Sequence, residues 1–200
     1  ANLAAEIKEL VSLPIIGAGR ITTPELAESF LSQGAMDLIG MARELIADPH
    51  FPKKAKSGRE QEIRPCVACN QTCKGHQAVG LPISCIYNPV SGREQIWSEI
   101  VPAKYLKRIA IVGGGPAGME AARIAAIRGH KITLFERSNR LGGQVNMASL
   151  TPGREEFKKI SLFLENAMEK LNISVKLNTI INAESLALDS YDCIIIATGC

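Results

Sequence analysis

The sequence lacks the features that mark several broad classes of protein. Its 23 Lys and Arg residues nearly balance its 20 Asp and Glu residues, and the formal net charge of +3 gives no case for binding nucleic acid or an anionic membrane. Aromatic residues are few, and no apolar run approaches the roughly 18 residues that a membrane span needs. There is no internal repeat and no low-complexity segment. Two hundred residues are enough for one or two globular domains.

A secretory signal is also missing. Residues 1–11 mix apolar and charged side chains as an amphipathic helix does, so we expect a soluble, cytoplasmic protein without a membrane span. The chain begins without Met inside this helical pattern, and it ends at Cys200 directly after a predicted buried strand. These two ends favour a fragment of a longer polypeptide.

Four of the six cysteines lie within twenty residues, with the spacing C-x2-C-x3-C-x11-C. They are Cys66, Cys69, Cys73 and Cys85. Cytoplasmic thiols stay reduced, so the cluster of cysteines indicates a metal site and not disulfides. Four thiolates can hold a 4Fe–4S cluster or a zinc ion. Structural zinc sites are built from two C-x2-C pairs, and the single pair here favours iron–sulfur, with zinc and unligated thiols as alternatives.

Three other residues near or beyond this set have simpler interpretations. His76 lies inside the cysteine loop and could replace a ligand, but we expect it to be a loop residue because four cysteines already fill a coordination shell. Cys193 lies in an apolar run and is predicted to be a small core residue. The sequence makes no prediction for Cys200.

Strand–helix alternation with short loops runs through the first 56 residues and predicts a parallel α/β sheet or barrel. Apolar runs predict strands at 13–18 and 36–41, and helical patterns cover 23–34 and 43–56. Thr23 and Pro24 open the first of these helices, and Asp48-Pro49 interrupts the second. Lys53, Lys54 and Lys56 are interpreted as a solvated helix end. Residues 59–103 lack periodicity, and we expect their structure to need something other than a hydrophobic core.

A second α/β unit begins at Lys107 and contains a glycine fingerprint. Strands are predicted at 108–112, 131–135, 173–177 and 192–197, with helices at 116–129 and 154–171. Between the first strand and helix, Gly113 permits a tight turn, Gly115 lets the backbone approach a pyrophosphate, and Gly118 lets the helix pack on the strand. The helix N-terminus would hold the phosphates, and Glu136 would accept hydrogen bonds from an adenosine ribose. A glycine-rich turn without a ligand is the alternative.

Two further patterns indicate phosphate or flavin binding. Gly143 and Gln144 belong to a second glycine segment that would close on the nucleotide, and together with the fingerprint it favours FAD. Arg20 and Arg43 each lie at the C-terminal end of a predicted strand, where loops of a parallel barrel bind phosphate. Surface arginines without a ligand are the alternative for this pair.

The order of these motifs resembles one family. Gly17-Ala18-Gly19-Arg20, Gly40-Met41-Ala42-Arg43, the cysteine spacing and the glycine fingerprint are similar to the multidomain iron–sulfur flavoproteins related to old yellow enzyme. That family includes 2,4-dienoyl-CoA reductase, 2-enoate reductase and trimethylamine dehydrogenase. The resemblance implies the last two strands of an FMN-binding TIM barrel at 1–58, an iron–sulfur segment at 59–103, and the first part of a Rossmann-like FAD/NAD(P)-binding domain at 104–200.

The resemblance also implies the roles of individual residues. Gly19, Arg20 and Arg43 would hold the FMN phosphate, and the four cysteines would ligate the cluster. The residues expected around FAD are Gly113, Gly115, Gly118, Glu136, Gly143, Gln144, Thr198 and Gly199. Electrons would pass from NAD(P)H through FAD and the 4Fe–4S cluster to FMN, which would reduce an activated alkene. The proton donor lies outside these residues, so no catalytic residue is assigned, and the chain alone is expected to be inactive.

Three questions stay open at the level of sequence. The small-molecule substrate is expected to be an enoate or an enoyl-CoA, but an amine dehydrogenase of the trimethylamine type is an alternative. A zinc-stapled nucleotide-binding module without catalysis is the non-enzyme alternative. NADH or NADPH preference is not determined, and a homo-oligomer is compatible with the sequence.

Overall fold

The protein has a mixed α/β fold, as the sequence predicts. The structure is a computed structural model that describes residues 2–97, 99–182, 184 and 190–199. Ala1 and Cys200, at the two ends on which the fragment prediction rests, lie outside these residues. The chain divides into two compact units, Ala1–Gly92 and Arg93–Cys200. No helix in the described ranges is long and apolar enough to cross a membrane.

The first unit opens with two strand–helix repeats. Its elements are α1 (Asn2–Leu10), β1 (Ile16–Ala18), α2 (Pro24–Ser32), β2 (Leu38–Gly40), α3 (Arg43–Ala47) and α4 (Phe51–Lys56). β1 and β2 pair in parallel, with Gly17 opposite Ile39. Both strands are shorter than predicted, and just before β1 the carboxylate of Asp37 accepts the N–H of Ile15 at 2.8 Å.

The helices of this unit lie where the sequence predicts, with ends that differ from the predicted ones by up to two residues. Thr23 caps α2 by accepting the N–H of Leu26 at 3.2 Å, and Pro24 occupies its first turn. Asp48 and Pro49 separate α3 from α4. The lysines of α4 differ from the prediction, because Lys54 is not simply solvated. Its ammonium pairs with the buried carboxylate of Asp48 at 2.5 Å, while Lys53 and Lys56 are exposed.

The cysteine-containing segment folds into short turns of helix. These are a 3₁₀ turn at Glu60–Glu62, a π turn at Gln71–Gly75 and the single turn α5 (His76–Ala78). The expectation that this segment has no hydrophobic core is only partly right. Ile63, Val67 and Tyr87 are buried, and Val67 and Tyr87 line one cavity together with Ile46 and Ala47 of α3.

The second unit is a four-stranded parallel sheet with helices. Its elements are α6 (Glu94–Trp97), β3 (Arg108–Val112), α7 (Pro116–Ile127), β4 (Lys131–Phe135), α8 (Gln144–Ala148), a 3₁₀ turn at Glu155–Phe157, α9 (Lys158–Lys170), β5 (Ser174–Lys176) and β6 (Cys193–Ile196). The strand order is β5-β4-β3-β6, with β6 pairing on β3 from far along the chain. This order confirms the predicted parallel α/β unit.

The core of this unit lies between the sheet and two helices. Ile111 and Leu134 of the central strands are fully buried, as is Met119 of α7. On α9, Leu164 and Met168 form part of the apolar face that the helical spacing predicts. Cys193 is only half-buried. Exposed and half-buried residues alternate along β6, and β6 pairs only with β3, at the edge of the sheet described here. The prediction of a core cysteine is therefore correct in part.

Candidate functional site

The four spaced cysteines line one small cavity in the first unit. Cys66, Cys69, Cys73 and Cys85 are all free thiols and half-buried. The same cavity is also lined by Arg43, Ile46, Ala47, Val67, Asn70, Thr72, Ser84, Ile86 and Tyr87. Within the part of the chain that the structure describes, no group of three or more His, Cys, Asp or Glu side chains forms a single-ion site. The sulfurs thus border a space and do not converge on one point.

The backbone turns toward two of these sulfurs. The N–H of Ala68 points at the Cys66 sulfur, and the N–H of Gln71 points at the Cys69 sulfur. Burial nevertheless raises the pKa of both thiols, so a thiolate here requires a compensating positive charge. Ala68 and Asn70 adopt left-handed φ values of 51° and 57°, which tighten this turn. The donor set therefore fits a thiolate-ligated metal cluster.

His76 stays outside the cysteine cavity. Its Nδ1 lies 2.8 Å from the carbonyl oxygen of Pro82. Among the described residues it behaves as the loop residue that the sequence favours. The four cysteines remain the candidate ligands.

A buried polar brace holds the cysteine segment against α3 and α4. The Asp48 carboxylate accepts the backbone N–H of Arg64 at 2.8 Å as well as the Lys54 ammonium. The Arg64 guanidinium donates to the carbonyl of Tyr87 and lies over its ring, 5.3 Å from the centroid. Asn88 donates to the carbonyl of Ala47 at 3.0 Å. These bonds fix Cys66 and Cys85 relative to α3.

Arg43 connects the predicted phosphate site with the cysteine cavity. It begins α3 immediately after β2, and its Nη1 donates to the side-chain oxygen of Asn70 at 2.7 Å. Gly19 and Arg20 follow β1 and are exposed, with φ values of 133° and 51°. All three residues therefore lie just beyond the C-terminal ends of paired parallel strands.

The glycine fingerprint forms a close turn between β3 and α7. A Cβ on Gly113 would lie 2.6 Å from the carbonyl carbon of Ala197, and the φ of 112° also favours glycine. A Cβ on Gly118 would collide with the carbonyl oxygen of Gly113 and approach the Cβ of Ala197 at 3.3 Å. Around Gly115, in contrast, a Cβ would meet nothing within 4 Å. Two glycines are thus required by the protein itself, and Gly115 leaves free space.

Glu136 ends β4 directly beside this turn. Its Oε2 accepts the N–H of Gly114 at 2.7 Å, and its Oε1 accepts the N–H of Ser138 at 2.8 Å. Burial acts to raise the pKa of this carboxyl, but the N–H groups of Ser138 and Gly114 outweigh burial and hold the pKa below its ordinary value. Glu136 is therefore a charged, oriented acceptor at the edge of the turn.

The second glycine segment closes on the first. Gly142 donates its N–H to the carbonyl of Gly114 at 2.8 Å, and a Cβ on Gly143 would lie 3.1 Å from the Cα of Gly115. Gln144 begins α8 and is exposed. The structure thus brings the two glycine segments together, as expected for one nucleotide site.

The end of β6 borders the same turn. A Cβ on Gly113 would lie 3.1 Å from the Cα of Thr198, and Thr198 and Gly199 are both exposed. Gly199 has a φ of 81°. These two residues extend the rim of the nucleotide turn.

Sequence reasoning missed Tyr87 and Thr72. Both line the cysteine cavity, and their hydroxyl oxygens are buried without a hydrogen-bond partner among the described residues. Burial, together with the nearby thiols of Cys85 and Cys66, raises the pKa of Tyr87 well above its ordinary value. Position within or next to the cysteine motif was the only signal in the sequence for either residue.

Comparisons with known proteins match the two units separately. Residues 2–62 match the NADH:flavin oxidoreductase / NADH oxidase family, and residues 107–200 match pyridine nucleotide-disulphide oxidoreductases. Among curated proteins, the NADH oxidase of Thermoanaerobacter brockii is 44% identical over 98% of this chain and 30% of its own length.

Two solved structures are similar over nearly the whole chain. A 2-naphthoyl-CoA reductase in complex with 2-naphthoyl-CoA has 37% identity and a TM-score of 0.94, covering 98% of this chain and 30% of that one. Histamine dehydrogenase from Rhizobium sp. 4-9 has 34% identity and a TM-score of 0.92, covering 98% and 29%. The chain thus spans under a third of the length of these relatives, all of which are oxidoreductases by name. The comparisons therefore confirm the resemblance of this chain to the multidomain iron–sulfur flavoproteins related to old yellow enzyme, a family of enzymes with FMN, FAD and a 4Fe–4S cluster as cofactors.

Proposed function

We propose that the protein containing this chain is an NAD(P)H-dependent flavin oxidoreductase that reduces an activated alkene of the enoate or enoyl-CoA type. The observation that carries the proposal is the cavity lined by four free cysteines, in a chain that also forms a dinucleotide turn. Together the cofactors would supply the transfer of electrons from NAD(P)H through FAD and the cluster to FMN.

Cys66, Cys69, Cys73 and Cys85 are the proposed cluster ligands. Their common cavity supports this assignment, as do the N–H groups of Ala68 and Gln71 that point at two of the sulfurs. A positively charged metal core would offset the cost of burying thiolates that the raised pKa values indicate. The brace through Asp48 and Arg64 would keep the ligand-bearing segments in place.

Gly19, Arg20 and Arg43 are the proposed phosphate-binding residues for FMN. Residues at the C-terminal ends of parallel barrel strands commonly bind phosphate, and an arginine there makes charge-assisted hydrogen bonds. The bond from Arg43 to Asn70 would orient one edge of its guanidinium while the other edge serves the phosphate. The same residue would then contact both the cluster wall and FMN.

The FAD nucleotide is proposed to bind at the second unit. Gly113 and Gly118 shape the turn, and the open space at Gly115 admits the pyrophosphate to the N-terminus of α7. Each oxygen of Glu136 accepts one backbone hydrogen bond, which leaves acceptor capacity for a ribose hydroxyl. Further contacts are proposed for Gly143, Gln144, Thr198 and Gly199 on the exposed rim.

The proposed domain organisation follows from these sites. Residues 1–58 would be the last two strands and helices of an FMN-binding barrel, 59–103 the cluster segment, and 104–200 part of the FAD/NAD(P)-binding domain. Ile16 of β1 and Leu38 of β2 are 66% and 54% exposed, which supports strands that belong to a larger barrel. The free thiols fit the reducing cytoplasm. The 200-residue chain alone is expected not to turn over substrate.

An amine dehydrogenase is the second candidate, because the similarity to histamine dehydrogenase is almost as high as that to the CoA-ester reductase. The alkene reductase and the amine dehydrogenase can be distinguished by their substrates. For an alkene reductase, anaerobic mixing of the NAD(P)H-reduced protein with cinnamate or a CoA-activated alkene should reoxidise the flavin. Reduction of the resting protein by a methylated amine, with no reoxidation by alkenes, would establish the dehydrogenase instead.

The decisive test of the cofactor assignment is metal analysis with an anaerobic visible spectrum of the holoprotein. About four iron and four sulfide per chain, with flavin absorption bands, are expected. Cys69→Ser should lose iron, whereas the matched control Cys193→Ser should retain it. Zinc without iron or flavin would establish a zinc-stapled nucleotide-binding module.

A further inference from the structure

Tyr87 carries a buried hydroxyl that none of the described residues engages. Its side chain is 9% exposed, and its hydroxyl oxygen has no hydrogen-bond partner among the residues that the structure describes. Burying a hydroxyl without a hydrogen-bond partner is unfavourable, because the group loses its hydrogen bonds to water. Such a cost is expected to be offset by a partner that belongs to the functional state of the protein.

The position of Tyr87 is fixed by its neighbours. The Arg64 guanidinium lies over the ring and also donates to the tyrosine's own carbonyl. Arg64 is in turn held by its backbone bond to buried Asp48. The ring therefore has little freedom to turn its hydroxyl elsewhere.

A second unpartnered hydroxyl lines the same cavity. The Oγ1 of Thr72 is buried without a partner, and Thr72 precedes the ligand candidate Cys73. Four buried side-chain oxygens lack a partner in the described part of the chain, and two of them lie here. Both are O–H donors in a cavity that the four cysteine sulfurs also line, together with apolar side chains and the polar residues Arg43, Asn70 and Ser84.

We propose that the hydroxyls of Tyr87 and Thr72 donate hydrogen bonds to sulfur atoms of the cluster and thereby raise its reduction potential. This inference rests on the proposed cluster in the cysteine cavity. Reduction adds one negative charge to the cluster, and a hydrogen bond to sulfur is stronger when the sulfur is more negative. The donors therefore stabilise the reduced state more than the oxidised state, in line with the general control of cluster potentials by such bonds.

The test is a redox titration of the cluster in the holoprotein, followed by electron paramagnetic resonance, after iron and sulfide have been counted. Tyr87→Phe removes the hydroxyl and keeps the ring, and Tyr105→Phe is the control because Tyr105 is 71% exposed in the other unit. Tyr87→Phe should lower the ratio of reduced to oxidised cluster at a fixed potential about fivefold, the factor that one ordinary net hydrogen bond represents. At 59 mV per tenfold for a one-electron couple, this is a shift of ~40 mV to more negative potential.

The outcomes separate the inference from the proposed function. A fully loaded Tyr87→Phe protein with the wild-type potential overturns the inference and leaves the cluster assignment standing. Wild-type protein without iron overturns the cluster assignment itself. If Tyr87→Phe does not retain iron, the test uses Thr72→Val, which removes the hydroxyl, and Thr72→Ser, which keeps it. A more negative cluster potential in the valine variant alone supports the inference, and equal potentials in the two variants overturn it.

Discussion

Replacement by alanine is expected to have different effects at two glycines of the dinucleotide turn, with loss of stability at Gly118 and loss of FAD affinity at Gly115. A methyl group at Gly118 would collide with the backbone oxygen of Gly113, and neither α7 nor the end of β3 can move away without breaking its packing. Overpacking of this kind costs about 1–3 kcal/mol, and a backbone obstacle places Gly118→Ala at the upper end. At about 4–8 °C per kcal/mol for a domain of this size, the unit should lose roughly 10–20 °C in Tm.

Gly115→Ala should leave stability intact and weaken flavin binding. The backbone there has φ −75° and ψ 177°, which alanine adopts freely, and the methyl group would meet nothing within 4 Å. Replacement of glycine at such a position stabilises a protein by about 0.4–1 kcal/mol. The same methyl group would occupy space needed by the pyrophosphate, so FAD affinity should fall at least about tenfold, or 1.4 kcal/mol.

The assay is calorimetry of the flavin-free proteins together with FAD titration of each variant. The reasoning predicts a large drop in Tm only for Gly118→Ala, and loss of affinity without loss of stability for Gly115→Ala. It would be refuted if Gly115→Ala bound FAD as wild type does, or if the two variants lost equal stability.

Substitutions at three further residues test the other contacts. Glu136→Gln should cost about 1.5–3 kcal/mol at neutral pH, because the charged acceptor of the buried N–H of Gly114 and the partly buried N–H of Ser138 is lost. Folding lowers the pKa of Glu136, so its contribution to stability is fully present above the unfolded-state pKa near 4.3 and is lost as the pH falls through the folded-state pKa. The unfolding free energy of Glu136→Gln should lack this dependence on acid. Asp48→Asn removes the carboxylate that pairs with the Lys54 ammonium and should lower the free energy of unfolding, measured by urea denaturation, by about 3 kcal/mol. An unchanged denaturation midpoint would show that the brace does not stabilise this unit. Arg43→Met should lower FMN content while iron content persists, with Arg43→Lys intermediate; equal loss of both cofactors would show that Arg43 acts only through the bond to Asn70.

The features that could be predicted from the sequence are those set by residues close together along the chain. The four cysteines reach one cavity because a short segment carries them, and the strand before Gly113 follows from local apolar periodicity. Glu136 could be placed beside the fingerprint because neighbouring parallel strands end at the same edge.

The remaining features depend on partners far along the chain. Lys54 looked like one of several exposed lysines, and only the fold places the buried Asp48 and the carbonyl of Glu62 beside its ammonium. Tyr87 has no periodic signal, and its burial depends on Arg64, 23 positions earlier. Long-range packing of this kind cannot be inferred from composition or local pattern.

The strand order of the second unit also has a consequence for synthesis on the ribosome. The turn at Gly113 is bordered by Ala197 and Thr198, which follow it by some 85 residues because β6 pairs with β3. At translation rates of about 5–20 residues per second, the rim of the proposed flavin site is completed roughly 4–17 s after its glycine turn has been made. During that interval one edge of β3 has no partner strand. The nascent chain therefore passes through a window in which this strand edge can pair with another chain, and slower elongation lengthens that window.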